Sequence, residues 1–144
     1  MKSKGLVLSC FLFFTTAIYA GEPAESQRGT QGLLPFSLTI GNSGTSPLEC
    51  QATTAHWYSV SLGRIGAGKK ISAPLWKNPA SGEVIILNAH QDRMPVQRIW
   101  CGAEGQSWQT RSEVTLPTRR GESPQSIALA CASLAGSTNC RPGR

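Results

Sequence analysis

The chain of 144 residues carries 14 Lys and Arg against 8 Asp and Glu, with five cysteines and two histidines. Its length limits it to one domain of ordinary size. The basic residues are dispersed, only Lys69-Lys70 and Arg119-Arg120 being adjacent, and no aromatic interleaving accompanies them, which speaks against a nucleic-acid surface.

Lys2 and Lys4 precede an apolar run from Gly5 through Ile18, and Ala20 stands before Gly21-Glu22-Pro23. That order predicts a secretory signal peptide over residues 1–20, cleaved after Ala20. Cys10 interrupts the apolar run instead of closing it, so a lipoprotein box is not supported. Cleavage leaves 124 residues with 12 Lys and Arg against 8 Asp and Glu, a mildly basic chain delivered to the periplasm and without stable membrane insertion. Residues 21–32 are polar and are expected to form a disordered leader.

Beyond the leader the pattern is one of short strands. Leu34, Phe36, Leu38 and Ile40 recur at a spacing of two, which sets them on one face of a strand. After the turn residues 41–46, Leu48, Cys50 and Ala52 form a second such face, and residues 56–62, with Trp57 and Tyr58, read as a third strand. "KKISAPL" and "EVIIL" follow, separated by the turn "KNPASG". "PVQRIWC", "SWQTRSEVTL" and "SIALACA" complete about eight strands, with no helix after the signal. The expected fold is all-β: a single antiparallel sandwich over residues 33–133, with residues 134–144 as a C-terminal tail. The order Cys50, Trp57, Cys101 gives it an immunoglobulin-like flavour, although Trp57 lies closer to Cys50 than that pattern asks.

Gly63, Gly68 and Lys69 have the spacing of a phosphate-binding loop, but Lys70 stands where a magnesium-ligating Ser or Thr belongs, and Pro74 argues against the helix that should follow. The segment reads instead as a turn between strands, bent by Gly66 and Gly68.

Cys50, Cys101, Cys131 and Cys140 survive cleavage. An even count in a small exported domain predicts two disulfides, in any of three connectivities. No CxxC spacing supports a redox or zinc site. The mature chain has one Asp, Asp92, and two histidines, His56 and His90, and its glutamates are scattered singly. With no GxSxG elbow, no catalytic residue is assigned and a non-enzyme without cofactor is expected. His90 and Met94 lie close enough to raise a copper site, but a single methionine is poor in soft ligands, and no metal residue is assigned. His56 reads as a strand residue packed against aromatic neighbours.

The aromatic set is the strongest remaining signal. Trp100 and Trp108 flank Cys101 across a Gly-bearing hairpin, with Arg98 and Arg111 nearby. Core packing around the disulfides is one reading. The other is an exposed protein-binding patch of Trp100, Trp108, Arg98 and Arg111, because Trp and Arg dominate interface hot spots.

The succession "HWYS", "LG", "GAGK", "NPASG", "MPVQRIWCG", Trp108 with Arg111 and Glu113-Val114, and Leu129 with Cys131 resembles small exported proteobacterial accessory proteins of the MauL type, over most of residues 36–131. That resemblance implies a periplasmic helper in the assembly or operation of a methylamine-oxidizing dehydrogenase, and it assigns no functional residue. The leading expectation is thus a non-enzymatic periplasmic accessory protein with a protein partner. An exported inhibitor or immunity protein and a periplasmic copper carrier are the alternatives.

Overall fold

The computed structural model describes residues 27–143, so the expected signal peptide and the start of the leader lie outside the described residues. Nine strands run through them: β1 (Leu34–Asn42), β2 (Leu48–Thr54), β3 (Ser59–Ile65), β4 (Lys70–Lys77), β5 (Val84–Leu87), β6 (Arg93–Ala103), β7 (Ser112–Glu113), β8 (Ile127–Leu134) and β9 (Ser137–Pro142). They pair in the order β3-β2-β6-β5-β4-β1-β8-β9, with β7 on the side of β6. The all-β, disulfide-stapled fold is present. Its sheet is mixed, because β8 returns beside β1 in parallel while the other named strands pair antiparallel.

The period-two pattern of the sequence explains the packing. Phe36, Leu38 and Ile40 of β1 and Leu48, Cys50 and Ala52 of β2 all enter one buried cluster with Ile65, Leu75, Val84, Ile99, Cys101, Val114 and Cys131. Asn42 continues the inward face of β1 and is satisfied there: its amide donates to the Ser46 and Ile65 carbonyls at 2.8 and 3.0 Å and its Oδ1 accepts from Gly44 N–H at 2.9 Å. β6 turns the corner between layers. Its first residues, Arg93–Pro95, pair with β5, and from Val96 onward it pairs with β2.

Both disulfides form, Cys50–Cys101 and Cys131–Cys140. Each joins residues directly opposed on neighbouring antiparallel strands, β2 with β6 and β8 with β9. An immunoglobulin domain instead bridges its two sheets and packs a buried Trp on the bridge. Here Trp57 is 83% exposed.

Three local expectations are corrected. Residues 134–144 do not hang off as a tail: β9 pairs along β8 from Ser137 to Pro142, and Thr138 N–H donates to the Thr110 carbonyl at 2.7 Å. From Gln27 the leader is held against the β5–β6 turn. There Arg28 Nε reaches Asp92 Oδ1 at 2.7 Å and Arg93 Nε donates to the Gly29 carbonyl at 2.8 Å. His56 and Trp57 form a 3-10 turn before β3, and His56 is exposed. Residues 66–69 are the β3–β4 connection, where Gly68 takes φ +68°, while Gly63 lies within β3 and takes φ +133°.

Among the described residues one charged side chain is buried. Lys77, 1% exposed at the end of β4, donates its ammonium to the carbonyls of Arg119 and Glu122 and so ties down the long connection between β7 and β8.

Candidate functional site

Strand β6 organises the site. Alternation turns Ile99 and Cys101 into the core, so Trp100 faces the outer surface of the β2–β6–β7 layer. Thr53 opposes Arg98 while Thr54 opposes Val96, which leaves Gln97 as an extra residue on β6. Such a bulge re-aims side chains. Gln97 and Arg98 are both exposed and border the same cleft.

The connection after β6 folds back over Trp100 because Gly102 has no side chain. A Cβ there would lie 2.1 Å from the Ser107 carbonyl oxygen. Thr110 Oγ1 then accepts from Ala103 N–H and donates to the Gln106 carbonyl, each at 2.8 Å, and fixes the return. Trp108 lands on Trp100 edge-to-face, with centroids 5.2 Å apart and planes at 79°. Trp100 is consequently 5% exposed although it lies outside the main core, and Trp108 keeps 44% of its surface in solvent.

Two guanidinium groups frame Trp108. Arg111 lies 3.8 Å from its ring centroid and Arg98 5.5 Å. Arg111 Nη1 also donates to the Trp108 carbonyl at 2.8 Å, and both arginines meet Glu113 Oε1, at 3.2 Å from Arg111 and 3.5 Å from Arg98. The patch expected from the sequence is thus brought together. Its two rings differ, because Trp100 supports from below while Trp108 meets solvent.

The 3-10 turn Ala55–Trp57 supplies a further ring. His56 and Trp57 take φ of 63° and 64°, a left-handed pair that costs roughly 1 kcal/mol or more per bulky residue. Thr54 N–H donates to the Tyr58 carbonyl at 2.9 Å and closes the turn. Trp57 therefore leaves the line of β3 and joins Trp108, Thr53, Ser59, Gln97 and Arg98 around a cleft of about 510 Å³. Trp100 also lines it, and its buried Nε1–H has no hydrogen-bond partner among the described residues. Sequence reasoning missed Trp57, Gln97, Thr53 and Ser59 as site residues. A bulge and a left-handed turn leave no periodic mark.

The lining holds rings, an amide, hydroxyls and an arginine, a set suited to packing and hydrogen bonding. His90 sits exposed in the β5–β6 turn, while Met94 borders a second cleft of about 560 Å³ together with His56, Tyr58 and Asp92. Asp92 is already engaged: Asn88 Nδ2 at 3.0 Å, and after it Arg28, hold its carboxyl below the usual carboxylate range. Among the described residues no three His, Cys, Asp or Glu side chains gather as a metal site, and no helix is long and apolar enough to cross a membrane. No protein-family model matches the chain, and no match is found among curated proteins.

Proposed function

We propose that this chain is an exported, non-enzymatic accessory protein that acts by binding a protein partner through the cleft between Trp57 and Trp108. One observation carries the reading: two solvent-facing tryptophans meet Arg98 around a cleft whose supporting ring, Trp100, is buried and packed edge-to-face on Trp108. Tryptophan and arginine on a preorganised base are the residues that concentrate binding energy at protein interfaces. Two disulfides in a small β domain suit an oxidising compartment outside the cytoplasm. A partner within a methylamine-oxidizing dehydrogenase system is the specific form of this reading that the sequence resemblance offers.

The test uses the proteins encoded beside this gene as candidate partners. Titration against immobilised mature protein is expected to give a complex that Trp57→Ala and Trp108→Ala each weaken by about 2 kcal/mol or more, the cost of a truncated hot spot. Both variants should remain folded. Turnover of an ester, glycan or peptide by the mature protein, lost in His56→Ala or His90→Ala, would overturn the reading.

A further inference from the structure

Strands β3 and β4 are consecutive, yet they do not pair: β3 pairs with β2, and β4 pairs with β1 and, at Trp76-Lys77, with β5. They are in contact beside their connecting turn, where a Cβ on Gly63 would lie 3.6 Å from Ile71 Cγ2. Farther along they border a groove of about 520 Å³, lined by Val60 and Leu62 of β3, Trp76 of β4 and Ile86 and Leu87 of β5. Val60, Leu62 and Ile86 are partly buried residues that pack on the core, so the core is incompletely covered at this seam.

The direction of the main-chain groups follows from the ladder. Cys50 and Cys101 are opposed with their Cα atoms 4.1 Å apart, the close spacing of a non-hydrogen-bonded antiparallel pair. Cys50, Ala52 and Thr54 therefore turn their N–H and C=O groups toward β3, in agreement with the Thr54 N–H to Tyr58 carbonyl bond. Ala52 opposes Val60, so Val60 is bonded inward, and Ser59 and Ser61 direct their donors and acceptors to the open edge. Among the described residues no strand meets them.

The neighbouring edges are blunted. Asn42 exchanges hydrogen bonds with Lys69 and Gly68, which by alternation sets Ile71, Ala73 and Leu75 bonding to β1 and points Ser72 and Pro74 to the seam. Pro74 has no N–H to offer there. At the far end of the sheet, β9 is covered by Thr110 and Ser112, which accept from Thr138 N–H at 2.7 Å and Cys140 N–H at 3.3 Å. Among the described residues no strand covers β3 in this way.

Charge indicates what the edge would accept. No Asp or Glu occurs between Glu49 and Glu83, a stretch that contains Arg64, Lys69, Lys70 and Lys77. Lys77 is buried and Arg64 is paired with Glu104, whereas Lys69 and Lys70 have no ion pair among the described residues. The same edge of a second copy carries no carboxylate between Glu49 and Glu83, so it offers Lys69 and Lys70 no counter-charge.

We propose that the free edge of β3 takes up an extended segment of a protein partner as an added strand, with alternate apolar residues in the Val60–Leu62–Ile86 groove and an acidic end beside Lys69 and Lys70. This rests on the reading that the protein binds a protein partner, and it supplies the mode. Main-chain hydrogen bonds hold the strand and the groove selects every second side chain. Ser59 lies at this edge and also lines the cleft with Trp57, so side chains on the other face of the added strand would run toward that cleft.

The probe is an N-acetylated peptide of about eight residues, alternating Val and Thr and ending in two Glu, added to the disulfide-intact protein. Binding is expected to slow amide exchange at Ser59 and Ser61. N-methylation of the alternate peptide amides that face β3 is expected to abolish binding, whereas N-methylation of the other set leaves it. Ser61→Pro is expected to weaken the peptide by about tenfold or more, because one outward donor is lost and an unfavourable ring is added. Lys69→Gln with Lys70→Gln is expected to weaken this peptide and to spare one ending in two Gln. Should Ser61→Pro fail to fold, the N-methylated peptides decide from the ligand side.

The proposal is overturned if the peptide does not bind, if both N-methylated sets bind alike, or if protection appears away from β3. It is also overturned if Ser61→Pro converts a dimer of the protein to monomer, which would make a second copy the occupant. A partner complex lost in Trp108→Ala but indifferent to Ser61→Pro would remove strand addition and leave the cleft reading standing. Peptide binding by strand addition with no effect of Trp57→Ala or Trp108→Ala on the partner complex would do the reverse.

Discussion

Replacing Trp100 by Ala is expected to destabilise the fold about twice as much as replacing Trp108 by Ala. Trp100 is 5% exposed and Trp108 44%, so truncation removes nearly a whole buried indole in one case and little more than half of one in the other. A fully buried aromatic truncated to Ala costs about 3–5 kcal/mol. Trp108 should therefore cost on the order of 2 kcal/mol, a figure that includes the edge-to-face contact and the cation–π contacts, each worth about 0.5–1.5 kcal/mol. Urea unfolding of both variants, followed by far-ultraviolet circular dichroism with disulfides intact, measures the two values in one series. A loss for Trp108→Ala equal to or greater than that for Trp100→Ala would refute the reasoning, since Trp108 would then be the structural ring and the cleft would lose its solvent-facing wall.

Native protein is expected to contain no free thiol among the four paired cysteines, and removing Cys50–Cys101 should cost more than removing Cys131–Cys140. The sequence separations are 51 and 9, which in the chain-entropy account correspond to about 4 and about 2.5 kcal/mol. Thermal unfolding of the two double Ala variants checks the order, and equal losses would count against that account. Lys77→Met is expected to cost about 1–3 kcal/mol, because the Arg119 and Glu122 carbonyls lose the charged donor that buried Lys77 brings to them; a neutral result in the same assay would show that the β7–β8 connection is held by other means. Asp92, whose folded carboxyl is held low first by Asn88 and then by Arg28, contributes stability that is present above its unfolded value of about 3.9 and is lost as pH falls through the lower folded value. Nuclear magnetic resonance titration should place that carboxyl higher in Asn88→Ala than in the parent protein, and an unchanged titration would remove Asn88 as the main cause.

Periodicity made most of the fold legible. Leu34 through Ile40, Leu48 through Ala52 and Ile127 through Cys131 alternate because one side of each strand is covered, and a pattern of period two needs no partner to be seen. The even number of cysteines beyond the expected signal peptide indicated two bridges in the same way. Their pairing required the register of β2 on β6 and of β8 on β9, which is a property of the assembled sheet. β9 escaped notice because Ser137–Pro142 has little apolar alternation and is a strand by virtue of β8 and Thr110 beside it. Arg98, Trp100, Trp108 and Arg111 were recognisable as a group by residue type and proximity. That Trp100 supports while Trp108 presents depends on Gly102 admitting the returning loop, and the inclusion of Trp57 and Gln97 depends on a left-handed turn and a bulge. Residue type and spacing are local properties that the chain carries before it folds; which face is covered, and by what, is fixed only when distant segments meet.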